Sequence, residues 1–268
     1  MNIFKTTSRP KKDPLRQFPD DLLALKTITK TFSQGSKETV EYHAETGDQD
    51  IFITCAEGSQ VNVMLIAKGT AEQFSRVRIH GILEKDAHLH VISDVTGGAR
   101  IETDVWIELK GGGASAMVSS IFYGTREAHH GFHVVMDHVA PSTTGDIFLR
   151  GVYRDQSRGV FTGLIRVGKD AQQTNSYFKD DVLLFDGALA ESLPTLEILA
   201  NDVKASHGST TGKINDEQLF YLMSRGLSKE QASEMIIGGF LEKVMERVPE
   251  VARVRLTRHS ELDSESRG

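Results

Sequence analysis

The sequence has very little cysteine: Cys55 is the single one in 268 residues. One thiol excludes an internal disulfide framework, and it also excludes a structural zinc site built from several cysteines of this chain. An iron–sulfur cluster held by this chain alone is excluded in the same way, because such clusters usually need about three or four thiolates. Cys55 follows a mainly apolar segment, residues 51–54. We therefore predict a buried structural thiol, with a catalytic nucleophile as the alternative.

An excess of basic residues is also missing. The 31 Lys and Arg residues against 37 Asp and Glu residues give a net charge of -6. Because nucleic acid binding depends on cationic side chains that neutralise phosphates, we expect no nucleic-acid partner. No apolar run approaches the roughly 18–20 residues that span a bilayer, and the first 19 residues carry charges without an apolar signal core. We expect a cytoplasmic protein that binds no membrane.

Proline is scarce, with 6 residues against 24 glycines, which favours tight turns over proline-rich linkers. From about residue 39 to residue 198, apolar residues alternate with polar ones in short segments, as in residues 101–109. A period of two predicts β-strands. Glycines interrupt the pattern at irregular steps of mostly about 10–15 residues, a spacing that allows a sandwich, a barrel or a β-solenoid.

Two features favour the solenoid over the sandwich. Several predicted strands are apolar on both alternations, as in residues 134–136 and 182–184, which is typical of parallel sheets buried on both faces. Dipeptides that form tight hairpins are scarce, since Asp186-Gly187 is the one example of the Asn-Gly or Asp-Gly kind. No strict repeat recurs, so the period alone leaves the choice open.

The pattern changes to helices after residue 201. Asn215 and Ser228 each precede a glutamine by three residues, which is the spacing of a helix N-cap with a reciprocal partner. Helices are predicted at about 216–224 and 229–247. The second helix has a broad apolar face, which is predicted to pack on the strand-rich body or on the first helix, with docking of a partner as the alternative.

These observations predict a mainly β protein with a small C-terminal α-helical domain. They divide the chain into four segments: an N-terminal arm and linker at 1–38, a β-helix at 39–200, a helical domain at 201–256, and a disordered tail at 257–268.

Histidines supply the main candidates for metal chemistry. His88 and His90 lie on the same face of a predicted strand, as a metal clip requires. With Asp94 and His138 as further ligands, they would suit a metal-binding, cupin-like β-barrel enzyme. The favoured interpretation is that these histidines are solvated or hydrogen-bonded structural residues.

The sequence contains no nucleotide-binding loop. Residues 110–114 are rich in glycine but lack the Gly-Lys-Ser/Thr ending that cradles phosphates. Residues 212–214 are Gly-Lys-Ile, with isoleucine where this ending requires serine or threonine. His207 lies between the last predicted strand and the helices, in a junction of polar and small residues at 204–212. A histidine in such a loop is a candidate functional residue.

Around this junction the sequence resembles the SufB/SufD family, scaffold proteins of iron–sulfur cluster assembly. The resemblance covers about residues 125–250. It rests on an ordered series of motifs at 158–163 (RGVFTG), 170–174 (DAQQT), 194–198 (PTLEI), 201–204 (NDVK), 206–208 (SHG), 218–228 (QLFYLMSRGLS) and 236–241 (IIGGFL). The resemblance implies a right-handed parallel β-helix with a C-terminal helical domain, which agrees with the solenoid prediction.

The motif Ser206-His207-Gly208 is similar to SufD, whereas SufB typically has Glu-His-Glu there. The resemblance therefore places His207 at the position of a family histidine implicated at the subunit interface where a cluster is thought to assemble. Lys179 stands where the SufB cysteine proposed as a cluster ligand aligns, and Ala205 stands where many SufD sequences have cysteine. The resemblance implies that the isolated chain binds no cofactor stably and that a transient iron–sulfur cluster forms in the assembled complex.

The family resemblance also implies partners. Two subunits of this type pair through their β-helices, and each binds a SufC-like ABC ATPase through its helical region. We predict a non-enzymatic scaffold subunit that pairs with a SufB-like subunit or with itself as a homodimer. Its predicted partner-binding residues are Phe220, Tyr221, Arg225 and Phe240.

Overall fold

The structure is a computed structural model, and it describes residues 26–69, 73–97, 100–185 and 187–254. The predicted N-terminal arm, up to residue 25, and the predicted tail at 257–268 lie outside the described residues. Strands make up 61% of the structure, and short helices follow them near the C-terminus. The prediction of a mainly β protein with C-terminal helices is confirmed.

The described residues form fourteen strands in two seven-stranded parallel sheets. The odd-numbered strands form one sheet and the even-numbered strands form the other, both in sequential order. The strands are β1 Lys26–Phe32, β2 Lys37–His43, β3 Gly47–Cys55, β4 Gln60–Gly69, β5 Phe74–Leu83, β6 His88–Gly97, β7 Arg100–Leu109, β8 Ser115–Gly124, β9 His129–His138, β10 Thr144–Tyr153, β11 Arg158–Val167, β12 Thr174–Leu184, β13 Leu189–Ile198 and β14 Val203–Lys213.

This alternation makes the molecule a β-solenoid of about 6 turns, which confirms the predicted solenoid. One strand of each sheet, with its connecting turns, forms a rung. Every neighbouring pair of strands is parallel, so no tight hairpin joins them, which explains why hairpin dipeptides are scarce. The strands begin at Lys26 and continue to Lys213, beyond both predicted boundaries at 39 and 200. Among the described residues, the terminal strands have a neighbouring strand on one side only and carry more polar residues, so their alternation is weak.

The hydrophobic core fills the space between the two sheets. Along strands such as β5 and β7, every second side chain points into the core, and these side chains are mostly apolar, as the period of two predicts. Large rings fit where the facing strand has glycine: a Cβ atom on Gly163 of β11 would lie 2.7 Å from the ring of Phe178 on β12. The run from Met64 to Ile66 is apolar on both alternations, and its outward side chains Met64 and Ile66 are covered by the C-terminal segment.

The two predicted helices are present as α1 (Asp216–Ser224) and α2 (Lys229–Met245). The Asn215 side chain accepts hydrogen bonds from the backbone N–H groups of the first turn of α1, and Ser228 forms a complete capping box with Gln231. In the described part of the chain, no helix combines the length and the apolar character that crossing a bilayer requires.

Candidate functional site at the open end of the solenoid

In the part of the chain that the structure describes, the last rung, formed by β13 and β14, has neighbouring strands on one side only, and we call it the open end. Both strands are the terminal strands of their sheets. Ile198 is in register with Val167, which is fully buried, yet Ile198 is 39% exposed. Leu189 and Leu193 on β13 are 60% and 44% exposed. The open end therefore presents apolar side chains together with unpaired strand edges.

His207 lies on the interior face of this open end. It is in register with Phe178, whose ring belongs to the core between the sheets. Aligned residues of in-register parallel strands share a face of the sheet, so His207 continues the interior column above Phe178. No further described strand covers it, and the imidazole is exposed. Ala205 lies on the same face, in register with Ser176.

Asp180, one rung below, is the functional candidate that the sequence analysis missed. It is in register with the core residue Leu149 on one side and with Ser209 on the other, so its carboxyl group points inward. The side chain is fully buried, with 0% exposure. Ser209 Oγ donates a hydrogen bond to its Oδ2 at 3.1 Å, while Oδ1 has no hydrogen-bond partner among the described residues. The alternation of Phe178, Asp180 and Val182 was the signal, because it places a charged residue on the core side.

The surroundings of Asp180 disfavour its charged form. Burial raises the pKa of its carboxyl group, and the nearby charge of Asp181 adds to this effect. The Ser192 and Ser209 hydroxyls lower the pKa in the opposite direction. At neutral pH this leaves a carboxyl group in the interior with few groups to stabilise a negative charge.

Lys179 and Asp181 flank Asp180 on the outer face of the sheet. Lys179 Nζ lies 3.6 Å from the Asp181 carboxylate, and Arg150 lies 3.1 Å from the same oxygen. Lys179 is in register with Gly208, whereas Ala205 lies on the interior face. The two positions that the resemblance associates with cysteine in relatives therefore lie on opposite faces of the even-numbered sheet.

Helix α2 packs against the outer face of the even-numbered sheet, which confirms the preferred interpretation of its apolar face. The C-terminal residues Val248 and Ala252 cover Met64, Ile66 and Ile92. Arginines fix the rest of the contact, through ion pairs of Arg154 with Glu234 (2.7 Å) and of Arg247 with Asp146.

The predicted partner-binding residues fall into two groups. Phe220, Tyr221 and Arg225 are exposed on and just after α1, and the Arg225 guanidinium stacks on the Tyr221 ring at 5.4 Å. Phe240 is half-buried on α2, where the Arg150 guanidinium lies 4.4 Å from its ring and also bonds to its carbonyl oxygen. Phe240 thus faces the solenoid and not the surface that the other three share.

An open groove of about 490 Å³ runs between α1 and α2. Tyr221 lines it with Met235, which is 60% exposed, and beside it Phe220 is 73% exposed. The remaining lining residues are Glu217, Gln218, Leu222, Ile236 and Gly239. An apolar groove with exposed aromatic side chains is typical of a docking surface for another protein.

Comparison with known proteins decides the family. The family model described as "SUF system FeS cluster assembly, SufBD core domain" matches residues 30–240. The chain belongs to the SufB/SufD family of iron–sulfur cluster assembly proteins. The matched residues include the whole open end and most of the helical hairpin.

Individual relatives agree with this assignment. The chain is 32% identical to the iron–sulfur cluster assembly protein SufB of Bacillus subtilis over 158 residues, which cover 59% of this chain and 34% of that protein. It is 34% identical to SufD of Escherichia coli over 167 residues, or 62% of this chain and 39% of that protein. A SufBD family protein of Mycobacterium leprae is 28% identical over 199 residues, or 71% of this chain and 51% of that protein. The chain thus spans about a third to a half of the length of these relatives.

The histidines considered for a metal enzyme have structural surroundings. His90 is buried and within 2.9 Å of Ser119 Oγ, and burial, with a smaller effect of Arg247, lowers its pKa to about 4. His88 is exposed beside Ser115, and His138 lies in the interior of the other sheet. The hypothesis of a cupin-like barrel is wrong, because the fold is a solenoid in which His88 and His90 share one face of β6 while His138 lies in the other sheet. Within the described ranges, no three His, Cys, Asp or Glu residues converge on a point that could hold a metal ion.

Cys55 is a buried free thiol at the end of β3, as predicted. Burial raises the pKa of this thiol to about 12, against a smaller opposite effect of the Ser59 hydroxyl. The thiol therefore stays protonated at neutral pH and is inert as a nucleophile. It lies five strands from the open end in its own sheet, so it cannot reach the site around His207.

The buried carboxyl group of Asp180 predicts a pH-dependent stability. The folded state binds the Asp180 proton more tightly than the unfolded state does. The protonated carboxyl group therefore adds to the free energy of unfolding below the unfolded pKa, which is about 3.9. This contribution is lost as pH rises through the raised folded pKa. Asp180→Asn should remove this loss and stabilise the chain at pH 7 by about 1 kcal/mol or more. Urea unfolding at pH 4 and pH 7 measures the effect.

Asp202→Asn, which changes an exposed carboxylate near the same end, is the matched control and should leave the pH dependence unchanged. If Asp180→Asn unfolds at lower urea than the unchanged chain at pH 7, the interior carboxyl group stabilises the fold and this account of it is wrong.

Proposed function

We propose that this chain is a non-enzymatic scaffold subunit of a SUF-type iron–sulfur cluster assembly complex. It pairs through the open end of its solenoid with a SufB-like subunit or with a second copy of itself. It docks a SufC-like ABC ATPase through the groove between α1 and α2. The observation that carries this proposal is that the exposed apolar side chains concentrate on these two surfaces.

The two ends of the described solenoid differ in a way that supports pairing at one of them. The first rung carries Lys26 and Lys30 in ion pairs with Glu45 and Glu38, and charged edge strands resist pairing with other strands. The open end instead carries exposed apolar side chains along β13, with Leu189 and Leu193 on the outer face and Ile198 on the interior face. Another strand edge can add to β13 or β14 through main-chain hydrogen bonds and cover Ile198.

The hairpin surface suits a partner that brings nucleotide chemistry. The sequence contains no phosphate-binding loop, so ATP must act through another protein. Phe220, Tyr221 and Met235 expose more apolar area than an isolated surface residue needs, and aromatic anchors beside a groove dominate the energy of many interfaces. The Arg225 side chain, held on Tyr221, adds a charged group at the rim.

A continuous set of contacts can carry motion from the ATPase to the open end. Phe240 of α2 contacts Arg150, and Arg150 pairs with Asp181. Asp181 is the neighbour of Asp180, which lies next to the strand that bears His207. Closure of a docked ATPase would pull on α2 and, through this set, strain the last two rungs.

In this proposal the iron–sulfur cluster is cargo that the assembled complex holds transiently. The described residues near the open end offer imidazole and carboxylate donors but no thiol. Sulfur ligands for the cluster would therefore come from the paired subunit, with His207 contributed by this chain.

Association with the ATPase is tested by Phe220→Ala. The side chain is 73% exposed, so its loss should shift the free energy of unfolding by no more than about 0.5 kcal/mol. As an anchor of the docking surface, it should weaken ATPase binding by at least about tenfold. Titration calorimetry with the purified ATPase measures the affinity, and urea unfolding measures the stability.

Phe240→Ala is the comparison variant for this experiment. It removes an internal contact with Arg150, so it should lower stability by about 1–3 kcal/mol and affect ATPase binding indirectly. A folded Phe220→Ala chain that binds the ATPase as tightly as the unchanged chain would remove α1 from the docking surface.

Pairing through the open end is tested by Ile198→Asp. This residue of β13 is 39% exposed and lies on the interior face, in register with Val167, so pairing would bury it, and a buried, unpaired charge there should prevent pairing. The chain is co-expressed with the ATPase and SufB-like subunit of its own assembly system, and light scattering on a sizing column gives the mass of each complex.

Thr29→Asp puts the same charge on an exposed position of the first rung and should leave the mass unchanged. We expect Ile198→Asp to lose one scaffold subunit from the complex while it retains the ATPase. If the complex keeps its full mass, pairing uses another surface.

A further inference from the structure

We propose that the outer face of the odd-numbered sheet is a docking surface for residues 1–19 of this chain. This face is separate from the open end and from the groove between α1 and α2, so the inference goes beyond the proposed function and does not depend on it. The apolar side chains of the face, the charges beside them and the strand at which the described chain begins all point to this occupant.

An apolar stripe runs across the middle of this face. Its members are in register on successive strands from β3 to β11, and we call them the outer stripe: Phe52, His80, Trp106, Val135 and Leu164. The strand neighbours of Phe52, Ile51 and Ile53, belong to the core, so the stripe points away from it. The Phe52 and His80 rings stack at a centroid distance of 4.8 Å, and Phe52 is 39% exposed. A contiguous apolar surface of this kind marks an interaction site.

The opposite outer face, on the even-numbered sheet, is covered by the C-terminal segment of the chain. Met64 and Ile66 point outward from β4 and are buried under residues 248–252. An ion pair of Arg247 with Asp146 fixes the same segment to β10. Apolar burial combined with a cation-to-carboxylate contact therefore holds one terminal segment on one face. The substantial contacts of the described helices with the solenoid are with β8 and β10, so among the described elements the outer stripe has no such cover.

The residues that flank the outer stripe carry more carboxylates than arginines. Two positions before or after a stripe residue on the same strands stand four carboxylates and two arginines: Asp50, Asp104, Glu108, Asp137, Arg78 and Arg166. The excess lies on β7, where Asp104 and Glu108 flank Trp106, and it remains when Lys110, 3.2 Å from Glu108, is counted. Residues 1–19 contain five Lys or Arg residues against one aspartate. The opposite net charges favour association of this segment with the face.

Residues 1–19 are close enough in the chain to reach the outer stripe. The described chain begins at Lys26 of β1, which is the first strand of the same sheet and pairs with β3, the strand that bears Phe52. Residues 20–25 join the segment to β1 and can span up to about 20 Å. The stripe crosses five strands and is about 19 Å long, since neighbouring strands lie about 4.8 Å apart. A chain of 19 residues spans roughly three times this length when extended, so the segment can follow the whole stripe.

The composition of residues 1–19 favours contact through side chains over addition of a strand. Three of the six prolines of the chain stand at positions 10, 14 and 19, and proline lacks the backbone N–H that strand addition uses. The segment also contains Ile3, Phe4, Leu15 and Phe18, whose burial against the outer stripe would be favourable. We therefore expect these side chains to cover the stripe while the lysines of the segment pair with the carboxylates beside it.

Cross-linking of the purified full chain with a water-soluble carbodiimide tests this contact directly, because the reagent joins lysine amino groups only to carboxylates that touch them. We expect mass spectrometry to find Lys11 or Lys12 joined to Asp104 or Glu108. A mixture of isotopically light and heavy chains separates links within one chain from links between two chains. Absence of these links within one chain, whichever other links form, overturns the proposal.

Fluorescence of Trp106 provides an independent test, because this residue of the outer stripe is the one tryptophan of the sequence. In the full chain, Lys11→Glu combined with Lys12→Glu should expose the indole, with emission at longer wavelength and stronger quenching by acrylamide. High salt should cause the same change in the unchanged chain, because it screens the ion pairs. Lys204→Glu combined with Lys229→Glu is the matched control. These two exposed lysines lie on β14 and α2, so the control should behave as the unchanged chain.

Urea unfolding of each variant establishes that the solenoid remains folded, and each measurement is repeated over a range of protein concentrations. Exposure of Trp106 in the Lys11→Glu and Lys12→Glu chain alone, at every concentration, supports residues 1–19 as the occupant. A folded variant with the emission and quenching of the unchanged chain overturns the proposal. If dilution of the unchanged chain exposes Trp106, a second copy covers the stripe and the proposal is also wrong.

Discussion

The in-register stacking of parallel strands is the constraint on which the rest of this structure depends. Each residue lies on the same face as its partners in the rungs before and after it, so the core, the columns of ion pairs and the interior hydroxyls all run along the solenoid. A stack of this kind satisfies its backbone only through the next rung. The described solenoid has ion-paired charged strands at one end and exposed apolar side chains on β13 at the other.

The same stacking explains how a small helical hairpin can influence a site on the opposite face of a strand. Adjacent residues of β12 point to opposite sides, so Asp181 belongs to the arginine contact with α2 while Asp180 belongs to the interior. The Arg150 side chain joins the sheet to Phe240 through its ring and its carbonyl oxygen. Asp181, in the contact with α2, and Asp180, in the interior next to β14, are therefore joined by a single peptide bond.

Much of the fold could be predicted because its signals are local. A period of two and the scarcity of hairpin dipeptides predict parallel strands, and Asn215 and Ser228 mark both helix starts. The continuation of the strands to Lys213 could not be predicted, because no further described strand covers the last rung and requires apolar side chains there. The place of Phe240 was equally hidden, since an apolar helix face does not reveal which surface it covers.

The site divides in the same way between predictable and unpredictable parts. His207 was identified from its motif, but its location on the interior face follows from its alignment with Phe178, which only the strand register reveals. Asp180 is a charged residue at a core-facing position of an otherwise apolar alternation. Its role cannot be inferred from the sequence, because the residues that contact it are not known until the strand register is known. The structure supplies those neighbours: a serine on one oxygen and no partner among the described residues on the other.

Hydrogen–deuterium exchange of the isolated chain and of the assembled complex tests the central claim, that the open end is a strand edge completed by another subunit. We predict that backbone amides of β13 and β14 exchange quickly in the isolated chain and become protected in the complex, while those of β1 and β2 keep their exchange rates. Exchange in β13 and β14 that is equally fast in the complex would contradict the claim.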